Sequence, residues 1–137
     1  MSEPTRIPTP DGVAPAAQNS HVVMGAGRFV AVSGRLPPDA DGRLAGVGDP
    51  AAQARQVFEN LRRCPAAAGA TFADVVELTC FVTDTFVTDT AHLPAVRAAR
   101  AAQTPDERLP ASPAVQVAAL VRPEFLMEIE AYAVVGE

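Results

Sequence analysis

Two carboxylates and a small-residue corner are the features of this chain whose types and spacing suit chemistry. Glu128, Glu130 and Tyr132 share one parity of an apolar stretch, and Met127, Ile129, Ala131 and Ala133 share the other. On a strand that alternation puts both acids on one face, where a neighbouring charge poises one of them as a general base. A solvent-facing strand edge gives the same alternation, so spacing alone leaves both options open. Ser33-Gly34-Arg35 closes a second apolar run, and Gly34 there permits close approach of a ligand or another backbone, or simply a turn. Cys80 falls on the more apolar face of its segment, which suits a buried thiol better than a nucleophile. His21 and His92 are far apart and lack metal-ligand spacing. Phosphate loops of the GxGxxG or GxxxxGKS type are absent, as are CxxC and HExxH.

The elements that must position these residues are legible from punctuation and periodicity. Residues 1–14 read as an extended Pro-rich arm of a single domain spanning 1–137. His21 to Met24 and Arg28 to Ser33 flank Gly25-Ala26-Gly27, which predicts a hairpin. Asp49-Pro50 supplies an N-cap and a first helical residue. Ala54, Val57, Phe58 and Leu61 follow at the i, i+3, i+4, i+7 spacing of one buried stripe, with Gln53 assigned to the other faces. Pro65 is expected to end or kink this helix. Val75 to Val82 reads as a strand, about 91–103 as an Ala- and Arg-rich helix, and 114–120 and 126–135 as closing strands. The order β-β-α-β-α-β-β predicts an α+β domain with both helices on one face of a mixed sheet.

Composition narrows the function classes. With 137 residues the chain forms one domain whose core needs no metal or disulfide staple. All 11 cations are Arg, 16 acids give a net charge of −5, and aromatics make up 5%. Such a surface does not gather on phosphate backbones and has few rings for stacking bases, so nucleic acid is not the expected partner. The N-terminus has no apolar signal core, and no run approaches the ~18 apolar residues of a membrane span. Cys64 and Cys80 are expected as reduced thiols of a cytoplasmic protein, with no membrane partner.

Five segments carry a family resemblance. Ala51-Ala52-Gln53-Ala54-Arg55-Gln56-Val57-Phe58-Glu59-Asn60-Leu61 resembles the helix signature of the Rid family (reactive intermediate deaminases, YjgF type). Val32-Ser33-Gly34-Arg35-Leu36-Pro37, Ala67-Ala68-Gly69-Ala70, Val75 to Val82 and Leu126-Met127-Glu128-Ile129-Glu130-Ala131 follow in the family's order. The resemblance runs from about Pro15 to Val135. It implies a chorismate-mutase-like α+β subunit, a homotrimer with ligand clefts between adjacent subunits, a small-molecule ligand, and no metal or organic cofactor. Active members hydrolyse enamines and imines such as 2-aminoacrylate to the 2-oxo acid and ammonia. In them an Arg of a Pro-Ala-Arg motif grips the substrate carboxylate, and the first Glu of Glu-Ile-Glu manages the attacking water. A Tyr near the N-terminus and the Ser of Ser-Gly-Gln complete the pocket.

Carried over residue by residue, the resemblance makes Glu128 the catalytic acid-base residue and Ser33 and Gly34 parts of the binding corner. Three positions depart from the pattern: Ser112 stands where the carboxylate-binding Arg belongs, Ala16 where the Tyr belongs, and Arg35 where Gln is usual. Losing that Arg removes a charge-assisted pair worth about 1.5–3 kcal/mol. Arg35 and Arg108 are the two candidate replacements. The expected function is therefore a divergent hydrolase or deaminase for an enamine- or imine-like metabolite other than simple 2-aminoacrylate. A non-catalytic trimer that binds metabolites or regulates a partner is the alternative, and ribonuclease activity is a distant third.

Overall fold

A computed structural model of the chain describes residues 3–15, 19–44, 46–83, 92–104 and 108–136. Its strands are β1 (Thr5–Ile7), β2 (Val22–Met24), β3 (Arg28–Arg35), β4 (Val75–Thr83), β5 (Ala114–Val117) and β6 (Met127–Val135). The helices are α1 (Pro50–Ala66) and α2 (His92–Gln103), with a single 3-10 turn at Phe72–Asp74. Four strands form one sheet in the order β3-β6-β4-β5, in which only β4 and β5 run parallel. This is an α+β fold with two helices on a mixed sheet.

Alternation along β6 divides the molecule. Met127, Ile129, Ala131, Ala133 and Val135 are buried beneath the helices, while Glu128, Glu130 and Tyr132 look out from the opposite face. The core couples that inner face to Ala54, Val57, Phe58 and Leu61 of α1 and Val96 of α2, which is the stripe expected from the spacing. β4 contributes Leu78, Cys80 and Val82. A register shift between Val75 and Glu77 turns Val75 inward in place of Val76.

Asp49 caps α1 by accepting from the N–H groups of Ala51 and Ala52 at 3.1 and 3.2 Å, and Pro50 opens the helix. Pro65 lies inside the last turn, and the helix stops one residue later. There the Ala67 N–H reaches the carbonyls of Arg63 and Cys64, so the proline is accommodated at the end it defines. Pro94 sits in the first turn of α2, where its missing N–H has no intrahelical partner.

Two expectations need correction. β2 does not pair with β3: it forms a separate two-stranded antiparallel sheet with β1 from the N-terminal arm. Gly27 lies so close to the Val135 carbonyl carbon that an added Cβ would stand 2.7 Å from it. The Gly-Ala-Gly segment therefore hands the chain from one sheet to the other and does not close a hairpin. The last short strand is also briefer than read, ending at Val117 and not at Leu120. The Thr/Asp-rich phrase at 83–90 lies outside the described residues beyond Thr83. No helix among the described residues is long and apolar enough to cross a membrane.

Candidate active site

Ser33 and Gly34 sit in a bulge. Val32 pairs with Ala131 and Arg35 with Ile129, so two residues of β3 stand opposite one of β6. Bulges of this kind re-aim side chains beside functional sites. Here Ser33 becomes exposed, and the bare Cα of Gly34 faces the side chain of Glu128. A Cβ at Gly34 would stand 2.7 Å from Glu128 Cδ and 2.9 Å from Cγ, closer than real contacts allow. The backbone of Gly34 requires no left-handed conformation, so glycine is needed here for the space it leaves. The structure thus brings together Ser33, Gly34 and Glu128, three of the residues singled out from sequence.

One helix holds both strands of this corner. Gln53, expected on the faces of α1 outside the buried stripe, is in fact fully buried. Its Nε2 donates to the carbonyls of Gly46 and Glu124, both at 3.1 Å, and its Oε1 accepts the Leu126 N–H at 3.0 Å. All three bonds satisfy a polar group that would be costly if left unpaired in the interior, and two of them fix the entry to β6. Two turns further along, Asn60 Nδ2 donates to the carbonyls of Leu36 and Pro38 at 2.9 and 3.0 Å, and its Oδ1 accepts from Gln56. Asn60 therefore pins the chain leaving β3, and Gln53 the chain entering β6. The distance between the bulge and Glu128 is set from α1.

Arg35 turns away from this corner. Its Nε donates to the Ser33 carbonyl at 2.8 Å, and its Nη1 lies 3.7 Å from Cys64 Sγ. It lines a cavity of about 520 Å³ together with Asp39, Asp41, Glu59 and Arg63, to which Glu128 does not contribute. Three carboxylates around that cavity make it a poor place for Arg35 to receive an anion. Arg108 pairs with Glu3 at 3.2 Å and lines a different depression, beside Arg62 and Phe72. Neither candidate replacement reaches Ser112. Ala16 lies outside the described residues.

Ser112 occupies a recess of its own, on the helix side of the sheet, whereas Glu128 looks out from the other side. Backbone bonds tie its segment down: the Ala111 N–H donates to the Val76 carbonyl at 3.0 Å and the Ser20 N–H to the Pro110 carbonyl at 3.1 Å. Arg100 of α2, which sequence reasoning missed, donates from Nη1 to Ser112 Oγ at 2.6 Å and is only 6% exposed. Val96, Arg100 and Thr104 form a buried row at i, i+4, i+8. That row was the available signal, but the surrounding alanines blur any helical pattern. Cys80 lies in the same recess. Burial pushes its thiol pKa up, opposed by the charge of Arg100 and a hydrogen bond to Ser112, as suits an inert buried thiol.

A family model described as Endoribonuclease L-PSP matches residues 9–135. The chain is 36% identical over 130 residues to a protein named 3-aminoacrylate deaminase RutC of Acinetobacter baylyi, covering 95% of this chain and 98% of that one. Among solved structures it resembles the Rid family protein YyfB of Yersinia pestis, with a TM-score of 0.82, 36% identity, and 95% and 98% coverage of the two chains. A Thermotoga maritima protein described as a putative endoribonuclease superposes with a TM-score of 0.70 at 29% identity, covering 100% of this chain and 99% of that one. With its sequence matched over nearly its full length and its fold shared with these structures, the chain belongs to the Rid (YjgF-type) family.

Proposed function

We propose that the protein is a deaminase that hydrolyses a small enamine or its imine tautomer to the carbonyl compound and ammonia. The carrying observation is the Glu128 carboxylate seated against the bare Cα of Gly34 at the Ser33-Gly34 bulge. The name of the Acinetobacter relative, a 3-aminoacrylate deaminase, supports the same reaction class.

Hydrolysis of a C=N bond asks for three services that these residues can perform. A water must lose a proton as its oxygen bonds to the imine carbon, and Glu128 accepts that proton. The resulting carbinolamine must release its nitrogen as ammonia, and the protonated Glu128 returns the proton to it. The carbonyl product then forms as Glu128 carries the hydroxyl proton of the carbinolamine to the nitrogen and the C–N bond breaks, so water in and ammonia out balance the reaction. The exposed Ser33 hydroxyl is placed to orient the substrate or the water at the bulge. None of these steps draws on a metal or an organic cofactor.

The two groups of site residues lie on opposite faces of one chain, and a homotrimer reconciles them. Glu128 of one copy then meets the Ser112 recess of a neighbour across an intersubunit cleft, which takes a small-molecule ligand. We place the protein in the cytoplasm, where its two thiols remain reduced. Replacement of the expected Arg by Ser112 favours a second option, a trimer that binds metabolites without turnover. The assay that decides is ammonia release from freshly generated 2-aminoacrylate and 3-aminoacrylate, comparing wild type with Glu128→Gln. Turnover that Glu128→Gln abolishes supports the deaminase; saturable binding without turnover favours the binding protein.

A further inference from the structure

The cavity beside Arg35 lies between the C-terminal half of α1 and the chain leaving β3, and its volume of about 520 Å³ is that of a small-molecule site. Its walls are already fixed. Asn60 holds the Leu36 and Pro38 carbonyls on the strand side. In the loop beyond, Asp39 Oδ1 accepts the N–H groups of Asp41 and Arg43 at 2.9 and 3.0 Å. The charges around the cavity divide into committed and spare ones. Glu59 is committed: its hydrogen bonds with Arg62 and Arg63 hold its carboxyl pKa down to about 2, so it stays ionised and is neutralised by its helix neighbours. Arg35 is spare. It is half-buried and anchored by the Ser33 carbonyl and Cys64 Sγ, yet it forms no ion pair among the described residues. Asp39 Oδ2 and the Asp41 carboxylate are likewise unbonded among the described residues. A lone anion entering here meets the spare carboxylates, and a lone cation meets Arg35. A molecule that carries both charges gives each its opposite.

We propose that this cavity is a second ligand site, separate from the deaminase corner, and that it takes a small zwitterion with the ammonium and carboxylate of a free amino acid. The ligand carboxylate pairs with Arg35, whose guanidinium is held at two points beforehand and so loses little freedom on binding. The ammonium goes to Asp39 Oδ2 and Asp41. Gln56, whose amide nitrogen donates to Asn60, offers its Oε1 as a further acceptor. Pro38, Ala40 and Cys64 supply apolar surface for the carbon skeleton. Glu128 does not line the cavity, and the bond from Arg35 to the Ser33 carbonyl links the two sites.

The test is an NMR titration of the full-length protein with L-alanine and 4-aminobutyrate, two zwitterions of different charge separation. Propionate and propylammonium serve as singly charged comparison ligands. At least one zwitterion is expected to saturate shifts at the Arg35, Ala40 and Cys64 amides, and both singly charged ligands to bind several-fold more weakly. Arg35→Gln should weaken the zwitterion about tenfold, the range of one charge-assisted contact. Asp41 is exposed and its side chain holds nothing in the fold. Asp41→Asn therefore keeps the structure and should weaken binding about two- to fivefold, as suits a solvent-facing pair. Any of four results would overturn the assignment: no saturable shift with either zwitterion, equal or tighter binding of propionate or propylammonium, shifts confined to the Ser33, Gly34 and Glu128 amides, or unchanged affinity in both Asp41→Asn and a folded Arg35→Gln. The outcome separates from that of the deaminase assay. Zwitterion binding at the cavity in a protein without turnover supports the second site and refutes the hydrolase, whereas turnover in a protein whose cavity amides never shift refutes the second site alone.

Discussion

Gly34→Ala is the perturbation that bears most directly on the corner between β3 and β6. The alanine Cβ would stand 2.7 Å from Glu128 Cδ and 2.9 Å from Cγ, whereas ordinary carbon contacts begin near ~3.5 Å. The carboxylate must therefore retreat by about an ångström, and because Cγ is also too close, the whole side chain has to turn. The obstructing atoms belong to the end of a flexible side chain facing outward, so the fold can yield at modest cost. An off-rotamer Glu128 accounts for about 0.5–1.5 kcal/mol, which lowers the melting temperature by only a few degrees, roughly 2–6 °C for a domain of this size. Catalysis is far less tolerant, since a misplacement of about 1 Å commonly costs on the order of 10²-fold. The expected result is a folded variant, verified by circular dichroism and calorimetry, that releases ammonia from aminoacrylate about a hundredfold more slowly than wild type. Full activity in a folded Gly34→Ala protein would show that the placement of Glu128 against the bulge does not matter to turnover.

Three further outcomes follow from the packing. Gln53→Leu removes three hydrogen bonds and leaves the Gly46 and Glu124 carbonyls and the Leu126 N–H without their partner. At about 1–3 kcal/mol for each orphaned group, thermal unfolding should fall by roughly 10 °C or more, and catalytic activity should fall with it. In native protein at mild alkaline pH, iodoacetamide should alkylate Cys64 and spare Cys80, whose thiol burial holds in the protonated form; mass spectrometry of tryptic peptides reads the two sites separately, and equal labelling would contradict the buried recess. Analytical ultracentrifugation should give three times the 14.2 kDa chain mass, and Phe29→Asp, on the open sheet face where Phe29 is 66% exposed beside Tyr132, should shift it toward the monomer. A monomeric wild type would remove the intersubunit cleft.

Local rules made much of the framework legible and stopped where partners are remote. The two-residue period of β6 foretold which face carries Glu128, and Asp49-Pro50 marked the start of α1, because both signals act between near neighbours in the chain. Gly34 could be read as a place of close approach, but not which group approaches, since the bulge that aims it at Glu128 depends on the register of β3 against β6. Gln53 looked like a surface residue because polarity is its only local signature. Its partners at Glu124 and Leu126 lie 71 and 73 positions away. Arg100 escaped notice for a different reason: an alanine-rich helix offers several equally plausible buried faces, and tertiary packing selects one. The mispaired β2 belongs with these, as its partner β1 is a three-residue strand within a proline-rich arm.

The deaminase assignment meets its most direct test in a stopped-flow comparison of wild type and Glu128→Gln. Freshly generated 3-aminoacrylate or 2-aminoacrylate would be the substrate, with decay of the enamine absorbance and release of ammonia recorded together. Wild type should accelerate both signals well above the spontaneous rate. Glu128→Gln, which keeps the shape of the side chain but cannot accept the water's proton, should fall by about 10²–10⁴-fold, the usual contribution of a general base. Equal rates for the two proteins, or a wild type no faster than buffer on either enamine, would contradict the account.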